Sequence, residues 1–219
     1  SSAFYYASGN KGYEELQRSN YSIAIDYLQS SIYGLDSLGE PLGYYYNSIH
    51  NLLKCYINKG ALQEGIDFID YFNVRLDQDS TGDYSLEKTQ LLREKAVFLR
   101  NNAQYREAIK YFRQALEQNS RISNEHTRIR NRHLYTISLA KAYKKIDQPD
   151  TALLLIDQSI AEYNSKKKQV HYLAHFNRAA VLFDLNRFDE AIGSLTRVLR
   201  NIGCERVAII RSYRRCIHS

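Results

Sequence analysis

Apolar residues return along this chain at intervals of three and four, which places them on one face of a helix. The pattern is clearest at Leu173, Phe176, Ala179, Ala180, Leu182 and Phe183. Similar stripes pass through Leu52, Leu53, Tyr56 and Ile57, through Leu92, Ala96, Val97 and Leu99, and through Leu139, Ala140 and Tyr143. Just after each stripe comes a short polar break and then a second helical pattern, so the predicted building block is a pair of helices joined by a turn of two or three residues.

The second helix opens on a recurring motif. Asn102 to Phe112 reads Asn-Ala-Gln-Tyr-Arg-Glu-Ala-Ile-Lys-Tyr-Phe, and the same order returns at Leu185 to Ile192, at Ser19 to Leu28 and, more weakly, at Lys59 to Ile66 and Asp147 to Leu153. The small residue of each copy falls at Ala24, Gly65, Ala108, Ala152 and Ala191, spaced by 41, 43, 44 and 39 residues. A small side chain in one register permits two helices to approach closely, and the ring three residues earlier, Tyr21, Tyr105 or Phe188, fills the neighbouring gap. Leu62 and Pro149 replace the ring in the two weaker copies. Equal spacing argues for stacked repeats over a compact bundle, because one repeat cannot bury its own apolar face.

Small residue, Gly/Asn/Asp, aromatic, Glu/Asp-Ala, aromatic or aliphatic: this order, seen in Gly12 to Leu28, Ala96 to Phe112 and Ala179 to Leu195, resembles the tetratricopeptide repeat family over roughly residues 5–200. The departures are repeats longer than the usual 34 or so residues and the missing tryptophan and closing proline. Lengthened repeats of this kind are similar to those of bacterial sensors and regulators. The resemblance implies an all-α fold, a right-handed superhelical α-solenoid of about five hairpins, with another helical-hairpin solenoid as the runner-up. The expected units are 4–40, 44–78, 86–120, 130–165 and 170–203 within one repeat domain, residues 1–205, with residues 206–219 beginning a further helix. Arg206 to His218, with Val207, Ile209, Ile210, Tyr213 and Ile217, carries that last expectation.

Composition adjusts this picture at a few points. Two prolines in 219 residues favour helices, and 19 tyrosines with no tryptophan put rings with polar tips into the packing positions. Methionine is absent even from the first position, so more protein is expected on at least one side. No apolar run is long enough to span a bilayer, and no signal peptide is read in these residues, a pattern that a leader already removed would also leave. Cys55, Cys204 and Cys216 are odd in number and lack metal-ligand spacing, which reads as free thiols and leans to a reducing compartment such as the cytoplasm, with a bacterial periplasm as the alternative.

Charge is uneven. Residues 1–110 carry 11 Lys and Arg against 14 Asp and Glu, whereas residues 111–219 carry 19 against 10. The cations of the second half, among them Arg128, Arg130, Arg132 and Lys166 to Lys168, invite a nucleic-acid reading. Alternate arginines spread around a helix, however, and lysines after Ser165, where a helix is expected to end, suit its dipole. A peptide or protein, acidic in character, is therefore expected as partner ahead of nucleic acid, no membrane insertion is expected in this stretch, and oligomeric state is left open.

Chemistry-bearing motifs are lacking: no nucleophile elbow, metalloprotease helix, phosphate loop or paired carboxylates. His171 and His175 stand four apart without a third ligand. No catalytic residue, metal or cofactor is expected, and the chain reads as a non-enzymatic scaffold or adaptor that holds a peptide or protein in a groove lined by the first helices. The alternative is the ligand-sensing domain of a bacterial signalling or transcription regulator whose output domain is missing from this stretch. By the resemblance, the groove face offers Asn47, His50, Asn51 and Lys54, then Gln90, Arg93 and Glu94, then Ser138 and Lys141, then Phe176 and Asn177. A carboxamide both donates to and accepts from a peptide unit, which makes the equivalent pair Asn51 and Asn177 the leading candidates. Lys54 and Lys141, also equivalent, could hold a carboxylate, although Glu94 stands where a carboxylate clamp would want a cation or neutral residue.

Overall fold

A computed structural model describes residues 1–78, 83–167 and 172–202. Residues 79–82 of the link after Gln78, together with Lys168, His171, Cys204, Cys216 and the stretch Arg206 to His218, lie outside the described residues. Those described form helices throughout: α1 (Ser2–Gln17), α2 (Tyr21–Ser37), α3 (Leu42–Lys59), α4 (Leu62–Gln78), α5 (Ser85–Asn101), α6 (Tyr105–Asn119), α7 (Glu125–Lys145), α8 (Pro149–Lys167), α9 (Tyr172–Asp184) and α10 (Phe188–Ile202). The chain divides into two compact units, residues 1–111 and 112–219.

One turn joins every odd helix to the even helix after it. Ser19, Gly60, Ala103, Asp147 and Asn186 each adopt a left-handed backbone, with φ between 56° and 77°. The N–H of the following residue donates to the carbonyl five positions back: Asn20 to Glu15, Ala61 to Tyr56, Gln104 to Leu99, Gln148 to Tyr143 and Arg187 to Leu182, at 2.8–3.1 Å. This satisfies carbonyls that the end of a helix would leave open. Glycine occupies that position only at Gly60; elsewhere the side chain meets the following carbonyl, at a cost of about 1 kcal/mol. Ala103→Gly is accordingly expected to raise the stability of the chain by about 1 kcal/mol and its melting temperature by about 2–4 °C, measurable by calorimetry; a lower melting temperature would argue against a left-handed Ala103.

Register then follows from the turns. The fourth residue of each even helix is Ala24, Gly65, Ala108, Ala152 or Ala191, all buried. Its N–H donates to the last carbonyl of the turn at 2.9–3.2 Å. The first residues, Tyr21, Leu62, Tyr105, Pro149 and Phe188, are half-buried. The sequence motif is thus the structural phase of the hairpin.

In the first unit the even helix of each hairpin packs on the next odd one. Leu28, Ile32 and Leu35 of α2, Ile49, Leu52 and Leu53 of α3, Ile69, Phe72 and Leu76 of α4, and Leu91 and Phe98 of α5 are all buried. Polar ties cross the same layers: Asp36 accepts from Tyr45 Oη at 2.9 Å and from Arg75 at 2.6 Å. In the second unit Asn124 caps α7 by accepting from the Thr127 N–H at 2.9 Å. Arg178 on α9 donates to Asp157 of α8 at 2.6 Å and to Ser194 of α10 at 2.8 Å. Helix α8 runs on through Lys167, beyond the end expected at Ser165, and Lys166 pairs with Glu162 one turn earlier at 3.4 Å.

Candidate functional site

Counting back from the left-handed residue of each turn aligns the first helices. Ten positions before it stand Gly9, His50, Arg93, Ile137 and Phe176; nine before it, Asn10, Asn51, Glu94, Ser138 and Asn177; six before it, Tyr13, Lys54, Val97, Lys141 and Ala180. Apart from Asn47 and Gln90, which stand thirteen positions before it, the candidate residues occupy three neighbouring columns of one helical face.

In the first unit this face brings His50, Asn51 and Lys54 of α3 beside Arg93 and Glu94 of α5. Lys54 Nζ lies 3.5 Å from Asn51 Oδ1, and His50 Nδ1 lies 3.7 Å from Glu94 Oε1. Glu94, only 6% exposed, accepts from Arg93. Burial, and next to it the Lys54 and Arg93 charges, hold the His50 imidazole below its ordinary pKa even though Glu94 pulls the other way, so the ring is neutral at neutral pH. Tyr46 Oη donates to the Glu87 carbonyl at 3.3 Å, a further link from α3 to α5. Asn47 is exposed on α3, one turn before Asn51. Arg93 and His50 therefore face one buried carboxylate, with Asn51 and Lys54 beside each other on the same stretch of α3.

The second unit departs from the expectation. Asn177, which shares its column with Asn51, is 9% exposed, and its Nδ2 donates to the Leu173 carbonyl of its own helix at 2.7 Å. Its column differs from hairpin to hairpin: Asn10 is exposed, Asn51 and Ser138 are half-buried, and Glu94 and Asn177 are buried. Lys141 is half-buried on α7, while Phe176 stands 50% exposed on α9. The stripe read at Leu173, Phe176, Ala179, Ala180, Leu182 and Phe183 is in fact two faces: Ala179 and Leu182 are buried, whereas Leu173, Phe176 and Phe183 are exposed. A cleft of about 230 Å³ opens there between α9 and α10, lined by Phe176, Phe183, Phe188, Ile192 and Leu195, with Lys144 and Asp184 paired at its rim at 2.7 Å. Periodicity alone could not reveal it, because apolar spacing is the same whether a face is covered or open.

The arginines of α7 are dispersed as their alternation implied. Arg128 donates to the Ile122 carbonyl at 2.9 Å, Arg132 pairs with Glu162 at 3.2 Å, and Arg130 is exposed. Cys55 is buried, and burial pushes its thiol up to about 11, which keeps it protonated at neutral pH. His175 is buried on α9. Among the described residues no three His, Cys, Asp or Glu side chains are grouped to hold a metal, and no helix is long and apolar enough to cross a membrane.

With this geometry in place, comparison with known proteins gives a consistent answer. Residues 137–202, most of α7 to α10, match the family model described as Tetratricopeptide repeat. The chain folds as a tetratricopeptide-like solenoid. No curated protein sequence matches it. Among solved structures, nearly identical tetratricopeptide-like repeats from Podosopora anserina align over 95% of this chain and 99% of that chain, with TM-score 0.69 and 19% identity. Aspartyl phosphate phosphatase F from Bacillus subtilis aligns over 90% of this chain and 50% of that one, with TM-score 0.75 and 14% identity. PlcR of Bacillus thuringiensis, solved with a peptide and DNA, aligns over 97% and 73%, with TM-score 0.65 and 11% identity. Tetratricopeptide-like hairpins thus account for both units.

Proposed function

We propose that this chain is a peptide- or protein-binding module, a scaffold or adaptor without catalytic activity, and that its α3/α5 face captures an acidic segment. The observation that carries the reading is the cluster of His50, Asn51, Lys54 and Arg93 on two consecutive first helices. Lys54 supplies an exposed ammonium and Arg93 a guanidinium one-third exposed, both suited to carboxylates. Asn51 can fix a backbone amide beside them. Lys141 and Asn177 occupy the equivalent places of the second unit, but there the Asn177 amide is already bonded to its own helix.

The test is a fluorescence-anisotropy titration of the chain with labelled peptides that differ only in acidic content. Acidic peptides should bind, neutral ones should bind at least ten times more weakly, and affinity should fall with salt. Asn51→Ala should weaken binding about 5- to 10-fold, the equivalent of one neutral hydrogen bond to a backbone amide, with the melting temperature unchanged. Asn177→Ala should act on the melting temperature and not on binding. Equal affinity for acidic and neutral peptides would remove the acidic partner from the reading.

A second reading, the sensing domain of a bacterial regulator, is supported by the alignment with PlcR over most of both chains. It differs in consequence. A sensor changes conformation when its ligand binds, whereas a scaffold does not. Small-angle scattering with and without a bound peptide separates them.

A further inference from the structure

A polar cavity opens beside α7, away from the groove columns. Its volume of about 540 Å³ is in the range that holds a small molecule, and it is bounded by α6, α7 and α8. Arg128, Arg132 and Thr136 recur every four residues on α7 and so share the face that lines it. Arg132 and Lys141 are nine residues apart, about two and a half turns, which puts them on opposite sides of the helix. The cavity is therefore separate from the face that carries Ser138 and Lys141.

Asn119, the last residue of α6, lines this cavity and is only 1% exposed. Its Nδ2 donates to the Arg128 carbonyl at 2.8 Å, which fixes the orientation of the amide, because a carbonyl only accepts. The other amide atom, Oδ1, is then a buried acceptor with no donor among the described residues, a state that protein interiors rarely keep. It calls for an N–H or O–H group from the cavity. Charge narrows the choice. Arg132 and Lys166 both pair with Glu162, at 3.2 and 3.4 Å. Arg128 instead meets a neutral partner, the Ile122 carbonyl, at 2.9 Å, and no carboxylate pairs with it among the described residues. With Glu117 the lining carries three cations and two carboxylates, too balanced to draw a polyanion and suited to a ligand that bears both signs. Leu116, Ile129 and Leu155, all half-buried, supply an apolar wall. We infer that this cavity binds a free α-amino acid with an apolar side chain. The ammonium donates to Asn119 Oδ1, the carboxylate pairs with Arg128, and the side chain lies against Leu116, Ile129 and Leu155. The inference does not depend on peptide capture at the α3/α5 face.

Calorimetric titration of the full chain with L-valine, L-leucine and L-phenylalanine tests this. Each is compared with the acid that lacks its amino group and the amine that lacks its carboxyl group. At least one amino acid should bind, and both of its truncated analogues should bind at least about 10-fold more weakly. That amino acid should also slow hydrogen exchange in residues 116–132 and 155–166 and leave α3 and α5 unchanged. Arg128→Gln should weaken the amino acid at least about 10-fold and leave its amine analogue where it was, a split that a damaged fold would not produce. In the unaltered chain, no binding of the three up to about 10 mM, ten times a millimolar Kd, would overturn the inference. So would protection confined to other helices. An acid that binds as tightly as its amino acid would make the cavity a plain anion site and overturn the inference as well.

Discussion

Phe98→Ala is expected to cost about 3–5 kcal/mol, the usual range for removing a buried ring whose surroundings cannot collapse. That is a large share of the 5–15 kcal/mol that hold a domain together, and it should lower the melting temperature by about 6–20 °C. Phe98 is fully buried on α5, and a Cβ added to Gly65 of α4 would collide with its ring. The pair explains why one copy of the repeat has glycine where the other four have alanine. The column that holds Phe98 holds Cys55 in the hairpin after Ala24 and Val181 in the hairpin after Ala152, both buried. Where the even helix keeps its methyl group, the next helix offers a smaller side chain, and where it gives the methyl up, a phenyl ring takes the volume.

The same pairing fixes the sign of a second substitution. On an open helix surface Gly→Ala would gain up to about 1 kcal/mol of helix propensity. At Gly65 overpacking should reverse this and leave a net loss of about 1–3 kcal/mol. Phe98→Leu in the same chain should recover part of that loss, since contacting residues couple by about 0.5–3 kcal/mol. Urea denaturation of the two single variants and the double variant measures the coupling. Strictly additive losses would mean that Gly65 and Phe98 do not share the space assigned to them.

How far the sequence carried this picture depends on the kind of feature. The hairpin phase was legible because close packing admits only small residues at Ala24, Gly65, Ala108, Ala152 and Ala191, and a steric rule leaves a direct trace. The turn was half legible. Gly60 signals a left-handed residue, whereas Ser19 and Ala103 hold the same conformation because helices on both sides impose it. The site was legible as a face but not in its burial. Asn51 and Asn177 look identical by position, yet Asn177 bonds to its own helix and Glu94 in the same column is buried against Arg93. What neighbours cover each column is a tertiary property, and a helical period contains no record of it.

Glu94 gives the α3/α5 face its most informative test. Lys54→Glu should weaken the binding of an acidic peptide about 30- to 100-fold while leaving the urea midpoint where it was. Lys54 is exposed and contributes little to packing, so its reversal acts on the ligand and not on the core. An ammonium about 5 Å from a carboxylate at a half-exposed site contributes about 1–2 kcal/mol, and reversal replaces attraction by repulsion of similar size; screening leaves about 2–3 kcal/mol. Glu94→Gln should do the opposite. It removes the negative charge nearest Arg93 and His50, freeing the guanidinium for a ligand carboxylate, and should strengthen binding several-fold. Arg93 cannot serve for this purpose, because its loss would strand the buried Glu94 charge and destabilise the fold by about 3–5 kcal/mol. Opposite shifts in affinity from Lys54→Glu and Glu94→Gln, both steepest at low salt, are what an electrostatic capture face requires; shifts of the same sign, or none, would move the peptide off α3 and α5.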